Sequence, residues 1–174
     1  MPTINNFTAA TFADDTAILA YHRIATTASE QLQESLNVIQ SLLKKWRINI
    51  NESKSTHITF TMKKDTCPSV TLNNKIIPQA DNVKYLGIHL DRRLTWKNHI
   101  WAKTKQLGLK LQKMYWLLGH KSKLTLESKI LLYKAILKPV LTYGIQLWGT
   151  ASTSNIEILQ LFQSKVLRSI VNIP

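Results

Sequence analysis

Residues 8–20 read TAATFADDTAILA, a run of small, β-branched and aromatic residues interrupted by two acids. Such residues favour strands and the acids favour a turn, so the stretch predicts a hairpin with strands over residues 6–12 and 16–21. The turn would hold Asp14 and Asp15 at one exposed edge. Adjacent carboxylates repel, and Mg²⁺ takes hard oxygen ligands from one or two carboxylates plus substrate phosphates. The pair therefore indicates a divalent-metal site, with an ordinary structural turn as the alternative.

The rest of the first half predicts one helix and several short strands. A helix over residues 27–47 is indicated by an apolar stripe at intervals of three and four, formed by Leu32, Leu36, Ile39, Leu43 and Trp46. Alternation predicts a strand over 57–62, a hairpin over 70–77 across Asn73 and Asn74, and one strand over 83–90 with a glycine in its middle. The first half is thus a small antiparallel sheet with a packed helix.

The second half predicts helices only. They cover residues 96–118, 125–148 with Pro139 as a break or kink, and 155–171. Ser154 and Glu157 have the spacing of a capping box at the start of the last helix, whose inward stripe would be Leu159, Phe162, Val166 and Ile170. The predicted fold class is α+β, with an α/β region over residues 1–91 and a helical region over 92–174.

Charge is distributed unevenly between these regions. The chain of 174 residues carries a formal charge of +13. Residues 1–91 contain nine Lys or Arg against eight Asp or Glu, whereas residues 92–174 contain fourteen against two. A basic half indicates a polyanionic partner, most often nucleic acid, with an anionic membrane surface or a merely solvated face as alternatives.

Four lysines on the first predicted helix of the second half are candidates for phosphate contacts, namely Lys103, Lys105, Lys110 and Lys113. Trp101 and Trp116 fall among leucines at helical intervals, so we interpret them as core residues rather than base-stacking surfaces.

Targeting and redox signals are few. One cysteine, Cys67, excludes an internal disulfide and a cysteine-based zinc site. No secretory signal and no apolar run of ~18 residues occur, so we expect an intracellular protein without a membrane partner, in the nucleus or the cytoplasm.

Several stretches together resemble one family. Residues 12–15 (FADD), 46–55 (WRININESKS) and 83–91 (VKYLGIHLD) are similar to the aromatic-Ala-Asp-Asp box, the helix-to-strand segment ending in a lysine and the primer-grip strand of reverse transcriptases. Residues 94–100 (LTWKNHI) and 133–144 (YKAILKPVLTYG) resemble the thumb of the jockey-like group of non-LTR retrotransposon reverse transcriptases. The segments occur in the family's order.

The resemblance implies a function and a set of residue roles. Residues 1–91 would be the C-terminal part of a polymerase palm and residues 92–174 the thumb. Asp14 and Asp15 would help to hold two Mg²⁺ ions, with Mn²⁺ as an alternative, for nucleotidyl transfer. Lys54 would lie near the phosphates of the incoming dNTP. Tyr85, Leu86 and Gly87 would form the primer grip, and the partners would be an RNA template and a DNA primer.

One part of the family pattern is missing. The family places another aspartate and the fingers before the Asp-Asp box, and none of residues 1–11 is acidic. We therefore expect a fragment of a larger polyprotein whose remainder lies N-terminal, and an isolated chain that does not polymerise DNA. The alternatives are a catalytically dead remnant that binds nucleic acid, and a basic helical module that docks on an acidic protein or membrane.

Overall fold

The computed structural model describes residues 7–63 and 67–171, and the chain divides into two units between Val83 and Lys84. Unit 1, which ends at Val83, contains strands and one long helix, and unit 2, which begins at Lys84, is mainly helical. Mixed helices and short strand pairs agree with the predicted α+β class. The division comes a few residues before the predicted junction, and the assignment of palm and thumb remains a prediction.

The acidic stretch forms the predicted hairpin. Strand β1 (Phe7–Phe12) pairs antiparallel with β2 (Asp15–Ala20), and the register places Phe12 opposite Asp15. The turn between them consists of Ala13, with φ of 49°, and Asp14. Both strands are confirmed to within a residue, except that Asn6 lies outside the described residues.

Helix α1 (Ala25–Lys45) covers one face of unit 1. The buried core of this unit consists of Leu36, Val70, Leu72 and Ile77, and Ile18 and Leu32 pack against it. The predicted helix is confirmed, but the stripe does not extend to Trp46. This residue is 66% exposed. Helix α1 ends at Lys45, so Trp46 does not continue the apolar face of the helix.

Two strand predictions in unit 1 have opposite outcomes. Strands β3 (Thr71–Leu72) and β4 (Lys75–Ile76) form the predicted hairpin, whose turn has positive φ at Asn73 and Asn74, as asparagine tolerates. The predicted strand over 57–62 is wrong. Only His57 forms a bridge, with Gln79, and the residues after it are irregular because no strand of the described chain pairs with them.

The predicted strand over 83–90 is a hairpin. Strands β5 (Asn82–Tyr85) and β6 (Ile88–Asp91) pair across Leu86 and Gly87, which have φ of 46° and 78°. Two consecutive residues with positive φ reverse the chain, so the glycine makes a turn here rather than a bulge in one strand.

Unit 2 continues with five helices: α2 (Lys97–Leu118), α3 (Leu126–Leu132), α4 (Lys138–Thr142), α5 (Ile145–Trp148) and α6 (Thr153–Val171). Their inward faces share one core, formed by Trp96, Ile100, Leu107, Leu118, Tyr133, Leu137, Leu141, Trp148, Leu159, Val166 and Ile170. The stripe predicted for α6 is confirmed, with Phe162 packed at the margin of this core.

The predicted helix over 125–148 is divided. A π-helical turn over Tyr133–Leu137 joins α3 to α4. Pro139 lies in the first turn of α4, where a residue without a backbone N–H is tolerated. The chain then turns at Gly144, with φ of 69°, where a Cβ atom would lie 2.9 Å from the Cδ1 atom of Ile88.

Ser154 lies inside α6 rather than before it, so the predicted capping box is wrong. Backbone N–H groups of the first turn donate to the carbonyl of Ser152 instead.

Asp91 shapes the corner between β6 and α2. Its carboxylate accepts backbone N–H groups from Arg93 (3.2 Å), Thr95 (2.9 Å) and Trp96 (2.9 Å). These bonds satisfy donors ahead of a helix start where Trp96 has φ of 64°. Within the described ranges, no helix has both the length and the apolar character needed to cross a membrane.

Leu107 should be essential to unit 2, because its side chain is fully buried in the shared core. We expect Leu107→Ala to lower the free energy of unfolding by about 2–5 kcal/mol, the usual cost of a cavity at such a site. Urea unfolding followed by tryptophan fluorescence measures it. Leu161→Ala, at a position that is 71% exposed, is the control and should change stability by less than about 0.5 kcal/mol. Equal effects of the two substitutions would contradict this core.

Candidate functional site

The two acids occupy different positions in the hairpin. Asp14 lies in the turn, and Asp15 is the first residue of β2, on the same face as its partner Phe12. Ile18 lies on the opposite face and packs towards the core of unit 1. Both carboxylates are exposed, and neither forms a hydrogen bond or ion pair with another described residue. The fold therefore leaves their oxygens free to bind a ligand.

The donor chemistry of this pair fits a magnesium ion in part. Mg²⁺ usually keeps several waters and takes one or two carboxylates together with substrate phosphates, and the pair supplies that number of carboxylates. Among residues 7–63 and 67–171, no cluster of three or more His, Cys, Asp and Glu side chains could hold a metal by itself. Asp14 and Asp15 are thus candidates for a site that needs further ligands.

An uncovered sheet face carries Asp15. Phe12 and Leu19 lie on this face and are 64% and 51% exposed. Within the described chain, the sheet has only strands β1 and β2, so no other strand extends it. Large apolar side chains beside a free carboxylate make this face suited to contact with a further partner surface.

Lys54 lies in a short 3₁₀ turn, Glu52–Lys54, and its side chain is exposed. The turn is held by Glu52, whose carboxylate accepts a hydrogen bond from Asn73 Nδ2 (2.5 Å) and lies 3.7 Å from Lys75 Nζ. The hydrogen bond from Asn73, followed by smaller effects that include the charge of Lys75, lowers the pKa of Glu52. Lys54 itself makes no ion pair with Asp14 or Asp15.

Of the predicted primer-grip residues, Tyr85 ends β5, and Leu86 and Gly87 form the β5–β6 turn in unit 2. Tyr143, from the end of the α4 segment, donates its hydroxyl to the Leu86 carbonyl at 2.6 Å. A Cβ atom on Gly87 would lie 3.5 Å from Tyr143 Cε1, so ring and turn are in contact. The resemblance pointed to the turn, but sequence alone did not indicate Tyr143, whose partner is far away in the chain.

Lys103 does not lie where its predicted role requires. It is 5% exposed, and its ammonium donates to the carbonyls of Val140 (2.8 Å) and Tyr143 (2.7 Å) near the rings of Tyr143 and Trp148. Burial lowers the pKa of Lys103 to about 8. Lys129 is similarly buried and donates to the Gly119 carbonyl at 3.0 Å. The prediction that Lys103 binds phosphate is therefore wrong, because its ammonium is used inside unit 2.

The other three predicted lysines differ in exposure. Lys105 and Lys113 are exposed on α2, and Lys110 is half-buried. The interpretation of Trp101 and Trp116 as core residues is wrong, since they are 66% and 74% exposed. Both side chains fall outside the helix face that carries Ile100, Leu107 and Leu118.

His99 lies in the first turn of α2, on the buried side of the helix, and is 2% exposed. Its Nδ1 accepts the backbone N–H of His89 at 3.2 Å. Burial, with smaller contributions from the charges of Lys103 and His89, lowers the pKa of His99 to about 4. The ring is neutral near pH 7 and adds no positive charge to the surface of unit 2.

Comparison with known proteins identifies the family of the segment that contains the hairpin. The family described as reverse transcriptase (RNA-dependent DNA polymerase) matches residues 2–90, which include the hairpin, α1 and the β5–β6 turn. The chain belongs to the reverse transcriptase family.

Similar reverse transcriptases occur in mobile elements of flies. The chain is 39% identical over 165 residues to the RNA-directed DNA polymerase from mobile element jockey of Drosophila melanogaster. It is 41% identical over 161 residues to the probable RNA-directed DNA polymerase from transposon X-element of the same species. These alignments cover 95% and 92% of the chain, but the chain spans only 18% of either relative. No solved structure matches the chain.

The buried ammonium of Lys103 should make the stability of this reverse transcriptase segment depend on alkaline pH. Its folded-state pKa of about 8 lies below the ordinary value of 10.5. Between these pH values the unfolded state binds more protons at this residue, so its contribution to the free energy of unfolding rises with pH. The rise should approach about 3 kcal/mol, at ~1.4 kcal/mol for each pH unit between the two pKa values.

Urea unfolding of wild type and Lys103→Met at pH 7.5 to 10.5 measures this contribution. The free energy of unfolding should rise less with pH in the variant than in wild type. Lys105→Met, an exposed lysine two residues away, is the control and should retain the rise. Parallel curves for wild type and Lys103→Met would show that the Lys103 pKa is not lowered.

Proposed function

We propose that this chain is a segment of an RNA-directed DNA polymerase, with unit 1 as the C-terminal part of the palm and unit 2 as the thumb. The observation that carries the proposal is the family match over residues 2–90 together with two free carboxylates at the tip of the matched hairpin. The chain spans 18% of its relatives, so the polymerase activity is assigned to the longer parent protein.

Asp14 and Asp15 would hold Mg²⁺ in the parent, with Mn²⁺ as an alternative. Ions held there would supply positive charge that stabilises the attacking 3′-hydroxyl oxygen and the leaving pyrophosphate oxygen. The two-residue turn favours this role, because it presents Asp14 beyond the last strand pair and Asp15 on the uncovered face. Other parts of the parent would supply the remaining ligands.

Lys54 and the β5–β6 turn would contact the substrates. The exposed ammonium of Lys54 can neutralise phosphate charge on an incoming dNTP. Gly87 is exposed and has no side chain, so the backbone at this turn, with Tyr85 and Leu86, can approach a DNA primer closely. The hydroxyl of Tyr143 would hold this turn in position through the Leu86 carbonyl.

Unit 2 would bind the RNA template and DNA primer as a duplex. Its residues 84–174 contain fifteen Lys or Arg against three Asp or Glu. Lys105 and Lys113 are exposed on one long helix, and Lys110 lies at its flank. Contacts from such lysines to phosphates do not depend on base sequence, as a polymerase moving along a template requires.

The same charge supports a second function, in which the chain binds nucleic acid without catalysing a reaction. Binding to duplex is common to both functions, whereas metal-dependent incorporation of nucleotides belongs only to the first.

Asp14→Asn tests the catalytic assignment in a chimera in which this chain replaces the matching segment of the jockey polymerase. Loss of a metal ligand worth several kcal/mol in the transition state should lower primer extension by roughly 10³-fold or more. Extension of a primed RNA template with Mg²⁺ measures it. Asp81→Asn, at another exposed acid of unit 1, should leave extension unchanged.

Full activity of the Asp14→Asn chimera would exclude Asp14 as a metal ligand. The isolated chain is expected not to extend a primer, and Mg²⁺-dependent extension by it, lost in Asp14→Asn, would contradict that expectation.

Lys113→Met tests the duplex surface. Removing one phosphate contact should reduce the slope of log affinity against log salt concentration by about 0.9, with little dependence on duplex sequence. Fluorescence anisotropy with an RNA–DNA duplex at several salt concentrations measures the slope. Lys44→Met, on the exposed end of α1, is the control and should leave it unchanged. An unchanged slope for Lys113→Met would remove this residue from the surface.

A further inference from the structure

A groove of about 550 Å³ lies on the surface of unit 2, within the 300–1,000 Å³ range of small-molecule sites. One wall comes from the first turns of α2 and the other from the start of α6. Its lining includes Lys97, Asn98, Trp101, Lys105, Asn155 and Ile158. We call this the Trp101 groove.

The indole of Trp101 lies outside the core of unit 2. Trp96 and Trp148 are buried and donate their Nε1–H groups to Thr150 Oγ1 (3.2 Å) and the Tyr143 carbonyl (2.8 Å). Trp101, in contrast, is 66% exposed, and its indole N–H has no hydrogen-bond acceptor among the described residues. A large aromatic side chain that is mostly exposed and makes no hydrogen bond leaves ring surface open for stacking against a ligand.

Positive charge borders the exposed ring on both sides. Lys97 and Lys105 lie four residues before and after Trp101 on one side of α2, about 12 Å apart along the helix axis. Lys105 Nζ lies 5.2 Å from the centre of the Trp101 ring. Neither lysine has an ion-pair partner in the described chain, and no acid lines the groove. The groove thus fits an anionic ligand that also has a flat face.

Amide groups add hydrogen-bonding capacity to the groove. Asn155 uses its Nδ2 to donate to the Thr95 carbonyl at 3.2 Å, and its Oδ1 accepts no hydrogen bond from another described residue. Asn98 is exposed. Amides offer both donors and acceptors, which suits the edges of nucleobases. An acidic peptide would satisfy the lysines but would leave the indole without a stacking partner.

We propose that the Trp101 groove binds single-stranded nucleic acid, with an unpaired base stacked on the Trp101 ring and neighbouring phosphates on Lys97 and Lys105. Bases inside a duplex are already stacked on both faces, so an exposed ring in a groove selects unpaired bases. This site shares Lys105 with the duplex contacts proposed above but adds the Trp101 ring, and it can exist whether or not the parent protein polymerises.

The test measures binding of two ligands to the whole chain by fluorescence anisotropy. One ligand is an eight-nucleotide single strand of DNA, and the other is an abasic strand with the same number of phosphates. Wild type should bind the strand with bases more tightly, and Trp101→Ala should weaken that binding by about 5- to 100-fold. Trp101→Phe should restore most of the lost affinity, because a phenyl ring also stacks.

Trp116→Ala is the matched control, since Trp116 is an exposed tryptophan of the same helix outside the groove. It should retain wild-type affinity. Trp101→Ala should bind the abasic strand as well as wild type does, which a general loss of folding would not allow.

Three results would overturn the proposal: equal binding of both strands by wild type, unchanged binding by Trp101→Ala, or displacement of the DNA strand by an eight-residue polyglutamate at equal concentration. The last result would show that the groove recognises charge alone and suits an acidic peptide.

Discussion

The two-residue turn at Ala13 and Asp14 sets the register of the β1–β2 hairpin, and the arrangement of unit 1 follows from that register. Side chains alternate along a strand, so a shift of one residue would exchange the two faces. In the observed register Ile18 faces the core and Asp15 faces away from it. The hairpin register therefore partly buries Ile18 and exposes the Asp15 carboxylate at the same time. A change of register would alter both the stability of unit 1 and the position of this carboxylate.

The sequence predicted elements whose signals are local and missed those that depend on a distant partner. The hairpin at Asn73 and Asn74 was predictable because asparagine tolerates positive φ. The region after His57 alternates like a strand, yet a strand forms only where another strand pairs with it, and a pattern within six residues carries no information about that partner. Leu86 has a positive φ although leucine rarely adopts one. The alternating pattern of residues 83–90 therefore favoured one continuous strand, whereas the chain turns at Leu86 and Gly87.

The candidate site shows a similar limit. The exposed hairpin position of Asp14 and Asp15 was predictable because two turn-forming acids lie between strand-forming residues, whereas the lysines were selected mainly by charge. Charge does not reveal burial, but periodicity does: Lys103 lies three residues after Ile100 and four before Leu107, which places it on the buried stripe of α2. Trp101 lies off that stripe. The position of each residue around the helix, rather than its charge, therefore accounts for the burial of Lys103 and the exposure of Trp101.

The lysines of unit 2 fall into a buried group and an exposed group, and the two groups can make different contacts. The ammonium groups of Lys103 and Lys129 are enclosed and bonded to carbonyl oxygens, so they cannot reach a phosphate directly. In the proposed function, the exposed lysines make the phosphate contacts. The attraction between lysines and a polyanion weakens as salt concentration rises, and it does not distinguish a paired from an unpaired base. An exposed indole can distinguish them, because it stacks only on a base whose face is not already covered by a neighbouring base. A surface that combines both can gather nucleic acid of any sequence and still respond to whether its bases are paired.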